Sequence, residues 1–134
     1  MAAEAMLARV IRAERRALRL TCPRCGRAPL FRGWFRMNVV CAACDLRFER
    51  AQGYWVGAIY VNYGVTVMIA VTGFFLLREW PGLETPGQLA LWVPFVLVFP
   101  LWFFRYARAL WIAFDERWDP WPNEQEAREE ANLR

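Results

Sequence analysis

The sequence predicts a small four-cysteine zinc ribbon followed by an α-helical two-span transmembrane hairpin, with a basic amphipathic N-terminal helix before the ribbon. Three observations in the 134 residues predict this fold class: a C-x2-C-x15-C-x2-C array, two long uncharged segments, and an arginine-rich first third. The predicted regions are a basic helix over 1–20, a cytoplasmic zinc ribbon over 21–50, the hairpin over 51–114 and a polar acidic tail over 115–134.

The N-terminal region consists of strong helix formers, with apolar residues at helical spacing opposite five arginines. Such a helix lies on a membrane surface or is simply solvated, and the sequence favours neither. Nucleic acid is not an expected partner, because a chain tethered to a bilayer is poorly placed to follow it. The apolar positions are Met6, Val10, Ala13, Ala17 and Leu20.

The cysteines have the spacing of a metal site. Each C-x2-C pair directs two thiolates at one cation from a tight turn, and a hairpin between the pairs brings them together. Four thiolates leave no open position for water, so the expected Zn²⁺ is structural. Iron accepts the same four ligands, and the sequence does not separate the two metals. The predicted ligands are Cys22, Cys25, Cys41 and Cys44.

Two other cysteine chemistries are less favoured. Disulfides require an oxidising compartment, whereas the charge distribution places this segment in the cytoplasm. A thioredoxin-like redox pair uses one C-x-x-C inside a βαβ unit, and no such pattern surrounds these two pairs.

Two segments are long and apolar enough to cross a bilayer. Residues 51–77 and 85–104 carry no charged side chain, and they predict spans at about 53–77 and 86–108. A small soluble chain has too little other surface to bury two helices that are apolar all round. Residues 1–50 contain eleven arginines and the connecting loop contains one, so both termini are expected in the cytoplasm.

The first predicted span offers two surfaces for packing. Gly53, Gly57 and Gly64 align as a flat stripe, in which the first two form a G-x-x-x-G site for the second span or for another protein. Asn62 and Thr66 lie on the opposite side and place polar groups at membrane depth. Their partner is an internal group or another subunit, and the sequence leaves both open.

Arginines and tryptophans flank the second span, where long cationic and aromatic side chains favour the membrane–water interface. Trp34 is a further interface candidate, although packing beside the metal is the favoured interpretation for the aromatic residues around it. The residues expected at the interface are Trp34, Arg105, Arg108, Trp111, Trp118 and Trp121.

The chain resembles a family of small bacterial membrane proteins catalogued as a domain of unknown function, number 983 (DUF983). The resemblance covers about residues 22–115 and implies a cytoplasmic zinc ribbon on two transmembrane helices in the bacterial inner membrane. The residues that carry it are Cys22-Pro23-Arg24-Cys25-Gly26, Pro29-Leu30-Phe31-Arg32-Gly33-Trp34, Cys41-x-x-Cys44, Leu46-Arg47-Phe48-Glu49-Arg50, Gly53-Tyr54-Trp55-Val56-Gly57-Ala58 and Leu110-Trp111-Ile112-Ala113-Phe114-Asp115.

The second cysteine pair departs from the family pattern. Asp45 stands where the family usually has glycine, so it is expected to adopt a positive φ, which aspartate tolerates better than most residues. The second pair is therefore expected to be the weaker half of the metal site.

The sequence favours an accessory, assembly or adaptor subunit of a larger membrane complex. It contains no histidine, nucleophile motif or phosphate loop, so an enzymatic role is the less favoured interpretation. The resemblance adds a respiratory complex as a candidate, because relatives are sometimes encoded near terminal-oxidase components. Expected partners are membrane lipid and a larger membrane protein, and a homo-oligomer stays open.

Two alternatives remain for the function. The first is a small interfacial enzyme or transport component that uses Arg105, Arg108, Asp115 and Glu116 on a lipid or another amphipathic substrate. The second is a regulator that senses metal or redox state through the four cysteines. Structural roles for these charged residues are the favoured interpretation.

Overall fold

The computed structural model describes residues 1–119 and 124–134, which form four helices with a long irregular segment between the first two. The helices are α1 (Ala2–Leu18), α2 (Val56–Arg78), α3 (Thr85–Trp118) and α4 (Glu124–Leu133). Trp121, one of the residues expected at the membrane interface, lies outside the described residues.

The N-terminal helix predicted from the sequence is present as α1. It ends in a Schellman turn, in which the Leu20 amide donates to the Ala17 carbonyl (2.8 Å) and the Thr21 amide to the Arg16 carbonyl (3.0 Å). Leu20 takes the left-handed position of this turn, with φ +56°. The turn therefore ends α1 directly before the first cysteine.

Residues 20–50, here called the cysteine module, lie between α1 and the hairpin. The backbone pairs at three isolated antiparallel bridges and otherwise follows turns. These bridges join Thr21 to Pro29, Phe31 to Met37, and Val40 to Arg47. With so little regular structure, the module depends on side-chain packing and on its cysteines for stability.

The two apolar helices α2 and α3 form an antiparallel hairpin. The 23 residues of α2 extend about 35 Å, enough for a hydrocarbon core of about 30 Å. The 34 residues of α3 extend about 51 Å and continue through Pro94 and Pro100. Because α2 begins and α3 ends beside the cysteine module, the module, α1 and the last turns of α3 share one end of the hairpin.

The continuation of α3 differs from the sequence prediction. The span was expected to end near residue 108 and a polar tail to begin at 115, but the helix continues to Trp118. Neither glycine nor proline occurs between Pro100 and Pro120, so nothing in the sequence stops the helix earlier. We call residues 105–118 the α3 extension.

Candidate metal centre and its seat on the hairpin

The two C-x2-C pairs adopt matching turns. In the first, the Gly26 amide donates to the Cys22 carbonyl (2.8 Å) and the Cys22 amide to the Ala28 carbonyl (2.9 Å). In the second, the Asp45 amide donates to the Cys41 carbonyl at 3.0 Å. Each turn thus holds two thiols on one side of a closed backbone loop.

Asp45 has φ +58°, close to the +69° of the equivalent Gly26. The conformation expected for Asp45 from the sequence is therefore confirmed. An aspartate in this region costs more than a glycine, because its Cβ atom crowds the following carbonyl. The second turn keeps the geometry of the first at a higher conformational cost.

The four sulfur atoms converge on one point. All four Sγ atoms lie within 4.8 Å of one another. The Sγ atoms of Cys22 and Cys44 are 3.7 Å apart, and those of Cys25 and Cys41 are 3.6 Å apart. A tetrahedral ion with metal–sulfur bonds of about 2.3 Å requires about 3.8 Å between sulfurs. The cluster therefore fits a four-thiolate metal ion.

The thiols differ in their environment. Burial raises the pKa of Cys44 to about 11 and raises that of Cys22 further. Burial also opposes ionisation of Cys25, but hydrogen bonds to its sulfur, beginning with the Arg27 amide, outweigh it and lower the pKa to about 7. Cys25 is therefore the thiol that ionises most readily among these three, while Cys22 and Cys44 need a metal cation to become thiolates.

The cysteine module shares its hydrophobic core with the α3 extension. Leu30, Leu46 and Phe48 are fully buried in the module. They belong to one cluster with the two buried cysteines and with the inner face of α3. The α3 residues in this cluster are Ala109, Ile112 and Ala113, and α1 contributes Ala17. The metal site is thus built directly against the hairpin.

Arginines of α3 pack on aromatic residues of the module and of the turn before α2. The Arg105 guanidinium lies over the rings of Phe31 (5.2 Å) and Trp34 (4.8 Å). The Arg108 guanidinium lies over Trp55 at 4.5 Å. Such cation–π contacts contribute about 0.5–2 kcal/mol each, depending on desolvation. Both arginines, which the sequence predicts at the membrane interface, pack against aromatic residues of the protein.

A group of ion pairs also joins the module to the α3 extension. Arg50 Nε lies 2.8 Å from Asp115 Oδ2, and its guanidinium also reaches Glu116 at 3.5 Å. Arg24 binds Glu116, with Nε at 2.8 Å from Oε1. The Tyr54 hydroxyl donates to Asp115 at 2.8 Å. Arg50 is only 10% exposed, so its interactions are shielded from water.

These contacts change the interpretation of the predicted tail. Asp115 and Glu116 were assigned to a polar tail, but they are helical and bind the module. Burial raises the pKa of Tyr54, and its hydrogen bond to Asp115 raises it further, so Tyr54 stays a neutral donor. The sequence interpretation missed these residues because their partners lie 61 to 92 positions away.

The small and polar residues of α2 have three different environments. Gly57 faces the Trp111 indole, which a Cβ atom at this position would overlap. Asn62 donates to the Pro100 carbonyl (2.9 Å), and the Thr66 hydroxyl donates to the Asn62 carbonyl (2.7 Å). Asn62 therefore has an internal partner on α3. Gly64 faces open space.

The predicted glycine stripe is wrong at Gly53. This residue precedes α2 and has φ +85°, so it belongs to a turn and not to a helix face. Trp111 was expected at the membrane interface, but it packs on Gly57, and its buried Nε1 lacks a partner among the described residues. Trp118 is 66% exposed.

The comparisons with known proteins agree with this architecture. A family model described as "Protein of unknown function (DUF983)" matches residues 31–115, which include the second cysteine pair, both apolar helices and the first acid of the ion-pair group. The first cysteine pair precedes the match. No solved structure matches the chain. Because the match covers more than half of the 134 residues, the protein belongs to the DUF983 family.

Proposed function

We propose that this protein is an accessory, assembly or adaptor subunit of a larger membrane protein complex, a respiratory complex being one candidate. The hairpin lies in the bacterial inner membrane, and a structural zinc ribbon sits on its cytoplasmic side. The observation that carries this proposal is the packing of the cysteine module against the α3 extension. The cysteine module, here called the head, forms one unit with the hairpin, and the outer surfaces of both are left for lipid and for a partner.

Membrane insertion is supported by the solvation of α2 and α3. Both are long and apolar enough to cross a bilayer, yet only 6% of the apolar window of each is buried inside the protein. The core helix of a soluble protein would be mostly buried. Large side chains such as Tyr60, Met68 and Leu97 project outward and are 65–72% exposed. Lipid is the solvent that suits this surface.

The cytoplasmic side is assigned from charge. The end of the hairpin that bears the head also carries the eleven arginines of residues 1–50, whereas the α2–α3 loop follows the single arginine at the end of α2. Phe35 lies 6.0 Å from the Phe104 ring, beside the point where the α3 extension begins. Trp34, 47% exposed, is therefore well placed for the membrane interface.

The identity of the metal rests on the donor set. Four thiolates suit Zn²⁺ or iron, and Zn²⁺ is the usual occupant of structural four-cysteine sites. A closed shell of four sulfurs would stabilise the module without offering a position for substrate. We therefore assign the metal a structural role.

The enzymatic alternative is weakened by the contacts of its proposed residues. Asp115 and Glu116 are bound by Arg50, and Arg105 and Arg108 lie on aromatic rings. Each group already stabilises the junction between head and hairpin. Use in catalysis would require breaking that junction.

Co-purification from native membranes tests the proposal. Tagged protein is crosslinked in membranes, extracted in mild detergent and analysed by mass spectrometry. Gly64→Leu and Gly64→Ala form a matched pair, because both fit the open space at Gly64 but only leucine blocks close approach of another helix. Cys25→Ser tests the contribution of the zinc ribbon.

We expect one membrane protein at stoichiometric yield, retained with Gly64→Ala and lost or reduced with Gly64→Leu or Cys25→Ser. Recovery of the chain alone after crosslinking, in monomeric form and from every variant, would contradict the proposal. If the protein were recovered only with further copies of itself, the assembly would be a homo-oligomer and not a complex with another membrane protein.

A further inference from the structure

A groove of about 720 Å³ separates α1 from the end of α3. The first cysteine turn contributes Pro23 and Arg24 to the lining, and the end of α3 contributes Glu116 and Arg117. This volume lies within the range of about 300–1,000 Å³ that is typical of small-molecule sites. The groove lies beyond the segments assigned to the membrane, because its α3 residues begin at Ala113.

The charge of the groove is positive. Five arginines and two glutamates line it. One glutamate, Glu116, is bound by Arg24 and by Arg50, which leaves Glu14 as the other acid of the lining. Among the side chains that the structure describes, Arg9, Arg12 and Arg117 form no salt bridge. An anion in the groove would therefore meet guanidinium groups whose charge is not already balanced.

Two of the five arginines that line the groove are held in place by hydrogen bonds to backbone carbonyls, which leave the charge of each guanidinium intact. Arg16 donates from Nη1 to the Arg24 carbonyl (2.7 Å) and the Pro23 carbonyl (3.4 Å). Arg12 donates from Nε to the Ala8 carbonyl at 3.2 Å. Backbone carbonyls orient a guanidinium without neutralising it, so less conformational entropy is lost when an anion binds.

The lining also contains an apolar side. Met6, Val10 and Ala13 face it from α1, and Phe114 faces it from α3. Phe114 is 51% exposed, so its ring can cover part of a ligand. Guanidinium groups recognise phosphate by paired hydrogen bonds, while the apolar side favours an alkyl or aromatic group attached to that phosphate.

We propose that the groove binds an organic phosphate, with the phosphate against Arg9 and Arg12 and the apolar group on Phe114. This site goes beyond the accessory role, since it concerns a small ligand and lies apart from both the metal centre and the hairpin. The same chemistry is present in the headgroup of an anionic phospholipid and in a soluble phosphate ester.

Calorimetric titration of the full-length, zinc-loaded protein in a non-ionic detergent tests the proposal. The probes are dihexanoyl phosphatidic acid, phenyl phosphate and inorganic phosphate. We compare the wild type with the double variant Arg9→Gln/Arg12→Gln. Arg15→Gln and Arg19→Gln together form the matched control, because these two arginines lie on or directly after α1 but outside the groove.

We expect both organic phosphates to bind more tightly than inorganic phosphate. The groove variant should weaken them about tenfold or more, and the control by less than threefold. A preference for the phosphatidic acid assigns the ligand to lipid, and a preference for phenyl phosphate assigns it to a soluble ester. Equal losses in the groove variant and the control, or no binding of any probe, would overturn the proposal.

Discussion

The head and the hairpin of this protein are stabilised in different ways. In the head, Leu30, Leu46 and Phe48 are fully buried beside the cysteines, and the core continues into the α3 extension. In the hairpin, only 6% of each apolar window is buried. There the helices meet at contacts that include the Asn62–Pro100 hydrogen bond and the Trp111 ring on Gly57.

The difference follows from the solvent of each region. In the lipid environment proposed for the hairpin, apolar side chains need no protein cover. The head, which the proposal places in water, has too few residues for a self-sufficient core. We therefore expect it to depend on a bound metal and on the α3 extension, with which it shares its core. Four changes test this contrast, from the largest expected effect to the smallest.

Substitution of a buried cysteine should give the largest difference in stability between the head and the hairpin. Cys41→Ser removes one of four ligands, and structural zinc sites contribute about 10–16 kcal/mol to folding. We expect the head to unfold while α2 and most of α3 stay helical. Limited trypsin digestion should then cleave within residues 20–50, and circular dichroism should retain most of the helical signal.

Ala42→Ser is the matched control for this change, since it places the same side chain at an exposed position of the same turn. It should resist trypsin like the wild type. Equal resistance of Cys41→Ser would show that the head folds without its metal.

Arg50 should be the most important side chain at the junction. Arg50→Gln leaves Asp115 and Glu116 without this charge partner, and removal of one member of a buried ion pair costs about 3–5 kcal/mol. We expect a loss on the order of 3 kcal/mol in the free energy of unfolding of the head, measured by urea titration with tryptophan fluorescence. The hairpin should keep its helical content.

Asp119→Asn is the control at the same junction. Asp119 also pairs with Arg50, at 3.1 Å, but is 83% exposed, so its loss should cost less than about 1 kcal/mol. If Arg50→Gln lowered the free energy of unfolding as little as Asp119→Asn does, the role assigned to Arg50 would be contradicted.

Gly57→Leu should affect the hairpin at a close approach of α2 and α3. The new side chain would overlap Trp111, and overpacking of this kind costs about 1–3 kcal/mol. We expect a lower thermal midpoint in detergent for Gly57→Leu than for Gly64→Leu, which meets open space. Equal midpoints for the two leucine variants would contradict the close contact.

Asp45 should give the smallest effect. Asp45→Gly removes the conformational cost of φ +58° and should stabilise the second turn by about 1 kcal/mol or less. Asp45→Ala should destabilise it, because alanine tolerates this conformation less well. Release of zinc to a chelator should be slower in the first variant and faster in the second. The opposite order would show that the carboxylate itself stabilises the turn.

Much of this fold could be predicted from the sequence because its signals are local. Cysteine spacing indicated the metal cluster, and uncharged segments indicated α2 and α3. Both of these properties depend on neighbouring residues or on composition. The family resemblance, with its usual glycine at this place, indicated the backbone conformation of Asp45. Distant residues were not needed to recognise them.

The junction could not be predicted in the same way. Arg24 and Glu116 are 92 positions apart, and nothing near either residue specifies the other. One signal was available in the spacing of Ala109, Ile112, Ala113 and Glu116, which place one face of a continuing helix toward a partner. The cation–π contacts of Arg105 and Arg108 could not be predicted either, because the packing of aromatic residues against them depends on tertiary structure.

Hydrogen–deuterium exchange on the zinc-loaded and zinc-stripped protein in nanodiscs tests the dependence of the head on metal and on α3 most directly. Removal of zinc should abolish protection in residues 20–50 and lower it in the α3 extension, while α2 between residues 60 and 75 stays protected. Unchanged protection of the α3 extension after zinc removal would contradict the shared core. The head would then be a module that is merely attached to the hairpin.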